Sequence, residues 1–303
     1  FILLCGTSTL PAISWTADFA RDVKNLASDN HEVQRDAQYA LLKSSVAAVP
    51  FIIAGLNDSN EQIRRHCVRL LGQMMDERSI PALKNIALTD ASWFVRQNSV
   101  IALTGFKAVN LAPLFEEIAL NDSSVSVRLR AIGSVAKLKK KDALPTLREL
   151  MRDINIMVRL TAARELARLG DKSGRQAALD ALEQAQWEVR SVAVQILAYA
   201  ANDTDRAALE RIKNSDGEHL LVRFDATAAL RHMDLQKVPS LKRFDVLKAA
   251  LRDSQQAVRA WAVAELLDRD DAPARTLLRE AARDSEHPGR QDAARALQAR
   301  NLK

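Results

Sequence analysis

A Val-Arg pair, or a close variant, recurs along this chain at Val33-Gln34, Ile63-Arg64, Val95-Arg96, Val127-Arg128, Val158-Arg159, Val189-Arg190, Val222-Arg223, Val258-Arg259 and Gly289-Arg290. The intervals are 30, 32, 32, 31, 31, 33, 36 and 31 residues. A period of that size marks a chain built by stacking one supersecondary unit. Further columns move in step with the pair. Four residues after it the side chain is always small: Ala37, Cys67, Ser99, Ala131, Ala162, Ala193, Ala226, Ala262 or Ala293. Eight residues after it stands Leu, replaced once by Val135. Five residues before it comes Asp58, Asp90, Asp122, Asp153, Asp253 or Asp284.

Offsets 0, 4, 8 and 11 from the pair fall on one face of a helix with 3.6 residues per turn. The small residue lets a neighbouring helix approach, and the Leu fills the space beside it. The Asp is expected at the helix N-cap, accepting free backbone N–H groups, and Asp58 with Glu61 reads as a capping box. A second amphipathic segment precedes each Asp. Pro50, Pro81, Pro113 and Pro145 stand near its start, where the missing N–H of proline costs nothing. Each unit is therefore a helical hairpin of about 31 residues. A lone hairpin cannot bury its own apolar faces, so the units must stack. Only 9 Gly and 8 Pro in 303 residues, too few for a turn-rich β chain, support the same reading. The expected fold is all-α: a solenoid (superhelix) of about nine hairpins, with residues 15–303 forming a single array. Gly289 is expected to mark a frayed terminal cap. The 36-residue interval is expected to place an irregular, hinge-like insertion near residues 232–245.

The pattern resembles HEAT repeats, in particular the short bacterial kind also found in bilin-lyase subunits of phycobilisome assembly. The resemblance covers roughly residues 18–300. It implies that the Arg column pairs with the Asp of the same or an adjacent turn, as a ladder between layers. It also implies that the second helix of each hairpin lines a concave face that binds partners. A fold of this kind does not fix an activity.

If the second helices line that face, offsets 2, 6 and 10 point outward. In the first five units those positions include Arg35, Tyr39, Lys43, Arg65, Arg69, Lys137, Arg164 and Arg168, with Ile101, Leu129 and Leu160 between them, and no acidic residue among the fifteen. The later units give a mixed set that includes Tyr199, His232 and Asp268. A basic, partly apolar groove suits an acidic protein segment, so the leading expectation is a non-catalytic protein-binding scaffold that acts as a monomer.

Charge distribution opens an alternative. The net charge is +6, yet residues 128–175 alone hold 13 Lys or Arg against 5 Asp or Glu. Such a belt can neutralise a nucleic-acid backbone. Residues 116–186 contain no Phe, Tyr or Trp, so base stacking is missing where the charge is densest. Duplex DNA therefore ranks second as a partner. A bilin-lyase-like enzyme is a third reading, resting on the repeat type alone. A HEAT-like hydroxylase of the deoxyhypusine type would need several His-Glu dyads for iron, and only His31-Glu32 has that form. No metal or cofactor constellation is read from the sequence, and Cys67 sits in the small packing column. The Lys137, Lys139, Lys140 and Lys141 run fits a helix C-terminus, where cations favour the dipole. A membrane-surface or polyanion contact by that run is the weaker option.

The opening Phe1-Ile2-Leu3-Leu4-Cys5 run leads to Pro11-Ala12-Ile13-Ser14. Two readings stay open for residues 1–14. Small residues at Ala12 and Ser14 fit a signal-peptidase site, which would place the chain in an exported or periplasmic setting. An apolar helix capping the array in a cytoplasmic protein is the other.

Overall fold

The computed structural model describes residues 18–106, 108–269 and 271–299. The apolar opening segment with Cys5 therefore lies outside the described residues. The secondary structure of the described part is helical throughout, and the chain divides into two compact units, one ending at Ser134 and one starting at Val135.

The first unit holds α1 (Phe19–Asn25), α2 (His31–Lys43), α3 (Val49–Gly55), α4 (Glu61–Met74), α5 (Ile80–Thr89), α6 (Trp93–Gly105), α7 (Ala112–Asn121) and most of α8 (Val125–Lys139). The second holds α9 (Leu144–Leu150), α10 (Ile156–Arg168), α11 (Arg175–Ala181), α12 (Trp187–Ala200), α13 (Arg206–Asn214), α14 (Leu220–Lys237), α15 (Ser240–Ala250), α16 (Gln256–Arg269), α17 (Ala272–Arg283) and α18 (Arg290–Ala299). Short first helices alternate with longer second helices. Within each unit the second helices stack on one another, α4 on α6, then α10 on α12, α14 and α16 in turn. Pro50, Pro81, Pro113 and Pro145 occupy the first turn of α3, α5, α7 and α9 as expected.

The packing columns of the second helix are buried as the repeat requires. Every small residue at offset 4, from Ala37 to Ala293, is buried, and so is every Leu or Val at offset 8. A first-helix column completes the spine: Ile52, Leu83, Phe115, Leu147, Ala178, Leu209, Leu247 and Leu278 are each at most 1% exposed. Ser99 fills the small column in its repeat with a buried hydroxyl that has no hydrogen-bond partner among the described residues. Burying a hydroxyl without a partner costs free energy that a methyl does not. Ser99→Ala is therefore expected to stabilise the protein by about 1 kcal/mol, seen as a higher urea midpoint; a lower midpoint would contradict the assignment.

Three local expectations need correction. The repeated Asp is not the N-cap. Asp58, Asp90, Asp122, Asp153, Asp253 and Asp284 instead close a turn by accepting the N–H two residues on, at 2.8–3.0 Å. The side-chain caps are Asn60 and Asn155, so Asp58 and Glu61 form no capping box. Moving the Asp off the cap leaves its second oxygen free for another repeat. The insertion near residues 232–245 is not a loop either. α14 simply runs 18 residues, about one turn longer than α10 or α12, and α15 begins at Ser240 right after Pro239. Gly289 is no frayed cap. It is buried, and a Cβ there would stand 2.7 Å from the Leu251 carbonyl oxygen, so the branched residue of the column is excluded by a close backbone approach.

The Arg column does form ion pairs between repeats. Arg64 grips Asp90 through Nε and Nη2 at 2.8 and 3.0 Å, and Arg96 grips Asp122 at 2.8 Å from both nitrogens. Each also donates Nη1 to the carbonyl of the Asp preceding its own helix, Asp58 or Asp90. One guanidinium thus ties its own turn to the turn of the following repeat. Arg190 makes the same link to Glu218, and Arg259 pairs with Asp292. A separate set, not foreseen from the repeat, starts on first helices: Arg148 and Arg175 reach Asp171 and Asp205 in turns, and Arg206 reaches Asp234 on the second helix α14.

These pairs give the fold a pH dependence. The hydrogen bond from Arg175 holds the Asp205 carboxyl below its ordinary range, that from Arg190 does so for Glu218, and that from Lys24 for Asp58. A depressed folded value means the unfolded chain binds more protons. The contribution is whole above the ordinary carboxylate pKa of about 4 and is lost as pH falls through the folded values. Urea midpoints should hold from pH 7 to 5 and fall steeply below about pH 4. A midpoint flat down to about pH 3 would show these pairs contribute nothing.

Candidate protein-binding surface

The sequence-predicted surface residues fall into two groups. Arg35, Tyr39, Lys43, Arg65 and Arg69 lie in the first unit, and Lys137, Arg164 and Arg168 in the second.

In the first unit the outward positions of α2 and α4 behave as the pattern predicts. Arg35, Tyr39, Lys43, Arg65 and Arg69 are all exposed, and Tyr39 keeps 66% of its surface. Lys43 and Arg65 are held by aromatic faces: the Lys43 ammonium lies 5.9 Å from the Tyr39 ring centroid, and the Arg65 guanidinium 4.6 Å from that of Phe94 on α6. Arg69 donates to Gln38 Oε1 on α2 at 2.7 Å and lies 3.0 Å from His66 Nδ1. Burial, then the charges of Arg69 and Arg65, hold the His66 imidazole below its ordinary pKa. Arg65 and Arg69 stand one helical turn apart, so their head groups share one face of α4. Among the described residues, neither they nor Lys43 pairs with a carboxylate. Arg35 does, with the exposed Asp36 at 3.5 Å. Ile101 on α6 is exposed and Leu129 on α8 half-buried. Phe94, Gln38 and His66 were missed from sequence. The signal available was weak: Phe94 precedes its Val-Arg pair by one residue, and only the packing of α6 on α4 brings it beneath Arg65.

In the second unit the surface departs from expectation. Leu160 is not exposed; it is 2% accessible and belongs to a core shared with Ala163, Ala193 and Leu197. The reason is that α10 is enclosed on a broad arc, with Thr161, Ala163, Glu165 and Ala167 also buried, so offset 2 points inward there. Arg164 is half-buried, donating to Gln195 at 3.1 Å and lying 3.3 Å from Glu165. Arg168 donates to both oxygens of Asp268 at 3.1 Å and lies 3.8 Å from Glu165. Lys137 is exposed near the end of α8.

Nearby polar groups are satisfied in the same way. The Asp225 carboxyl, raised by burial, accepts from Ser191 and Gln195. His232 meets Glu265, whose Oε1 also accepts from the Trp261 indole N–H at 3.1 Å. The Tyr199 ring lies 4.4 Å from His232, and burial with the neighbouring Glu265 and Asp268 pushes its hydroxyl up to about 12. Of the cations between residues 128 and 175, Arg148, Arg164, Arg168 and Arg175 have carboxylate partners, and Arg159 donates to the carbonyls of Asp153 and Ile154.

Among the described residues, no group of three or more His, Cys, Asp or Glu side chains is placed to hold a metal, and no helix is long and apolar enough to cross a membrane. Cys67 is fully buried with its thiol pushed up to about 12, chiefly by desolvation.

A repeated helical hairpin with buried small and Leu columns, tied by inter-repeat Arg pairs, defines a class that sequence comparison identifies. The family model described as HEAT repeats matches residues 23–104 and 112–198, and the chain belongs to that family. Solved structures of the same architecture include YibA from E. coli, at 21% identity and a TM-score of 0.54, covering 82% of this chain and 91% of that one. The complex of CpcE and CpcF of phycocyanin lyase from Nostoc sp. PCC7120 aligns at 19% identity and a TM-score of 0.45, covering 82% and 99%. Human deoxyhypusine hydroxylase in complex with glycerol aligns at 16% and 0.36, covering 94% and 96%. A comparison with curated proteins gives no match.

Proposed function

We propose that this HEAT-repeat chain is a non-catalytic binding scaffold, and that the second-helix face of its first unit receives an acidic protein segment. The observation that carries this reading is the set Lys43, Arg65 and Arg69: exposed cations, oriented by Tyr39, Phe94, Gln38 and His66, with no carboxylate partner among the described residues. Cations already held in place lose less freedom when they meet an anion, so more of the attraction is left for binding. Tyr39 and Ile101 add exposed apolar surface beside the charges. Lys137 and the second-unit cations Arg164 and Arg168 are assigned a lesser part, because the two arginines are already engaged by Glu165 and Asp268.

The same pairing weighs against the duplex-DNA reading. Four of the 13 cations in the belt of residues 128–175, Arg148, Arg164, Arg168 and Arg175, are paired with carboxylates, and a paired guanidinium releases fewer counterions from DNA. A bilin-lyase-like activity rests on the repeat type alone.

The test is fluorescence anisotropy with labelled poly-glutamate peptide as the probe, alongside a labelled DNA duplex, at low salt. The parent should bind the peptide, and Arg65→Glu with Arg69→Glu should weaken it by at least about tenfold while leaving the circular dichroism spectrum unchanged. Peptide affinity indifferent to this double reversal, or tighter binding of the duplex than of the peptide, would overturn the proposal.

A further inference from the structure

Offset 10 of the second helix is occupied in four successive repeats by Arg168, Tyr199, His232 and Asp268. In a straight stack the first and last of these would be separated by two intervening helices, α12 and α14. Instead Arg168 and Asp268 are in contact at 3.1 Å across 100 residues of sequence. The C-terminal ends of α10 and α16 therefore converge, and the column closes on itself over Tyr199 and His232. Both ends of the bridge remain reachable, with the Arg168 side chain 41% and the Asp268 side chain 35% exposed.

We infer that the Arg168–Asp268 contact is a salt-labile clasp that holds the second unit tightly wound over the offset-10 column. Three features support this. A single nitrogen, Arg168 Nη2, serves both Asp268 oxygens, so the two-nitrogen grip seen at Arg96 is absent and the contact is the weaker kind. The rungs beneath it have partners of their own: His232 has Glu265, the Tyr199 ring packs at a tilt against His232, and Trp261 donates to Glu265. Opening the clasp thus exposes a formed surface and does not unravel one. The Glu165 carboxylate, 3.8 Å from Arg168, gives the freed guanidinium somewhere to rest. The clasp is independent of the first-unit surface proposed above, and either can hold without the other.

Hydrogen exchange on the full chain, read by mass spectrometry, tests the clasp. Arg168→Gln and Asp268→Asn, each alone, should speed exchange in the last turns of α10 and α16 about three- to fivefold, the range of a partly exposed ion pair. Salt at about 1 M should reproduce the effect in the parent and add little in either variant. The paired swap Arg168→Asp with Asp268→Arg should return exchange toward the parent rate. Small-angle scattering should report a larger radius of gyration for the single variants than for the parent and the swap. Three results would overturn the inference: parental exchange in both single variants, a swap as fast as the singles, or acceleration that spreads equally into α4 and α6.

Discussion

Replacing Arg96 by Ala is expected to destabilise the protein by about 3–5 kcal/mol, the loss typical of stranding a buried charge. Arg96 is itself buried, and its partner Asp122 has a side chain only 5% exposed. Truncation removes two 2.8 Å hydrogen bonds from Asp122 and a third, at 2.9 Å, from the Asp90 carbonyl. Neither oxygen set regains full hydration, because the neighbouring repeat still covers them. The attraction between the charges is a smaller part of the cost than the desolvation left uncompensated. That distinction is measurable. Arg96→Met combined with Asp122→Leu removes both charges, and should be less destabilising than the sum of the two single changes. Equilibrium urea denaturation of the four proteins completes the cycle. A single Arg96→Ala costing under about 1 kcal/mol would mean the pair is as inconsequential as an exposed surface bridge.

Phe115→Ala should cost about 3–5 kcal/mol, by a different route. Phe115 is fully buried on α7 and is the only aromatic side chain in the first-helix spine. Its counterpart two repeats on is Ala178, equally buried. Alanine is therefore compatible with the column where the surroundings have grown to meet it, so the residue type alone does not set the cost. The penalty at 115 comes from the volume vacated among neighbours sized for a ring. Phe115→Leu should recover most of the loss, and thermal unfolding would read both. Equal losses for Leu and Ala would point away from a cavity.

The repeat was fully legible because its columns obey one periodicity. Offsets 4 and 8 lie on the buried face of every second helix, and the sequence alone places Ala162 or Leu166 there without knowledge of any neighbour. The ladder was legible in kind, since Arg and Asp recur in register, but not in direction. The Asp looks like an N-cap by position, and only the backbone reveals that Asn60 takes that role in place of Asp58, and that Ser92 stands at the start of α6 and leaves Asp90 to Arg64 of the preceding repeat. The 36-residue interval misled for a related reason: an added helical turn and an added loop lengthen a repeat alike. The surface was legible where the stack is open and opaque where it closes. Arg65 and Arg69 stand out as offset positions should, whereas Leu160 and Arg164 share their columns yet are covered or engaged. How sharply successive repeats turn depends on summed side-chain volumes along many contacts, and no single column records it.

Cys67 carries a practical consequence of its place in the packing. Its sulfur sits where a Cβ on Gly55 would come within 2.6 Å, in a pocket closed to solvent, and a thiol ionising only near 12 leaves almost no thiolate at neutral pH. The thiolate is the nucleophile that attacks alkylating reagents, so the native state shields this atom from them twice over. The speed at which a peptide containing residue 67 becomes modified is then a clock for transient opening of the first unit, supplied by the chain without any engineered label.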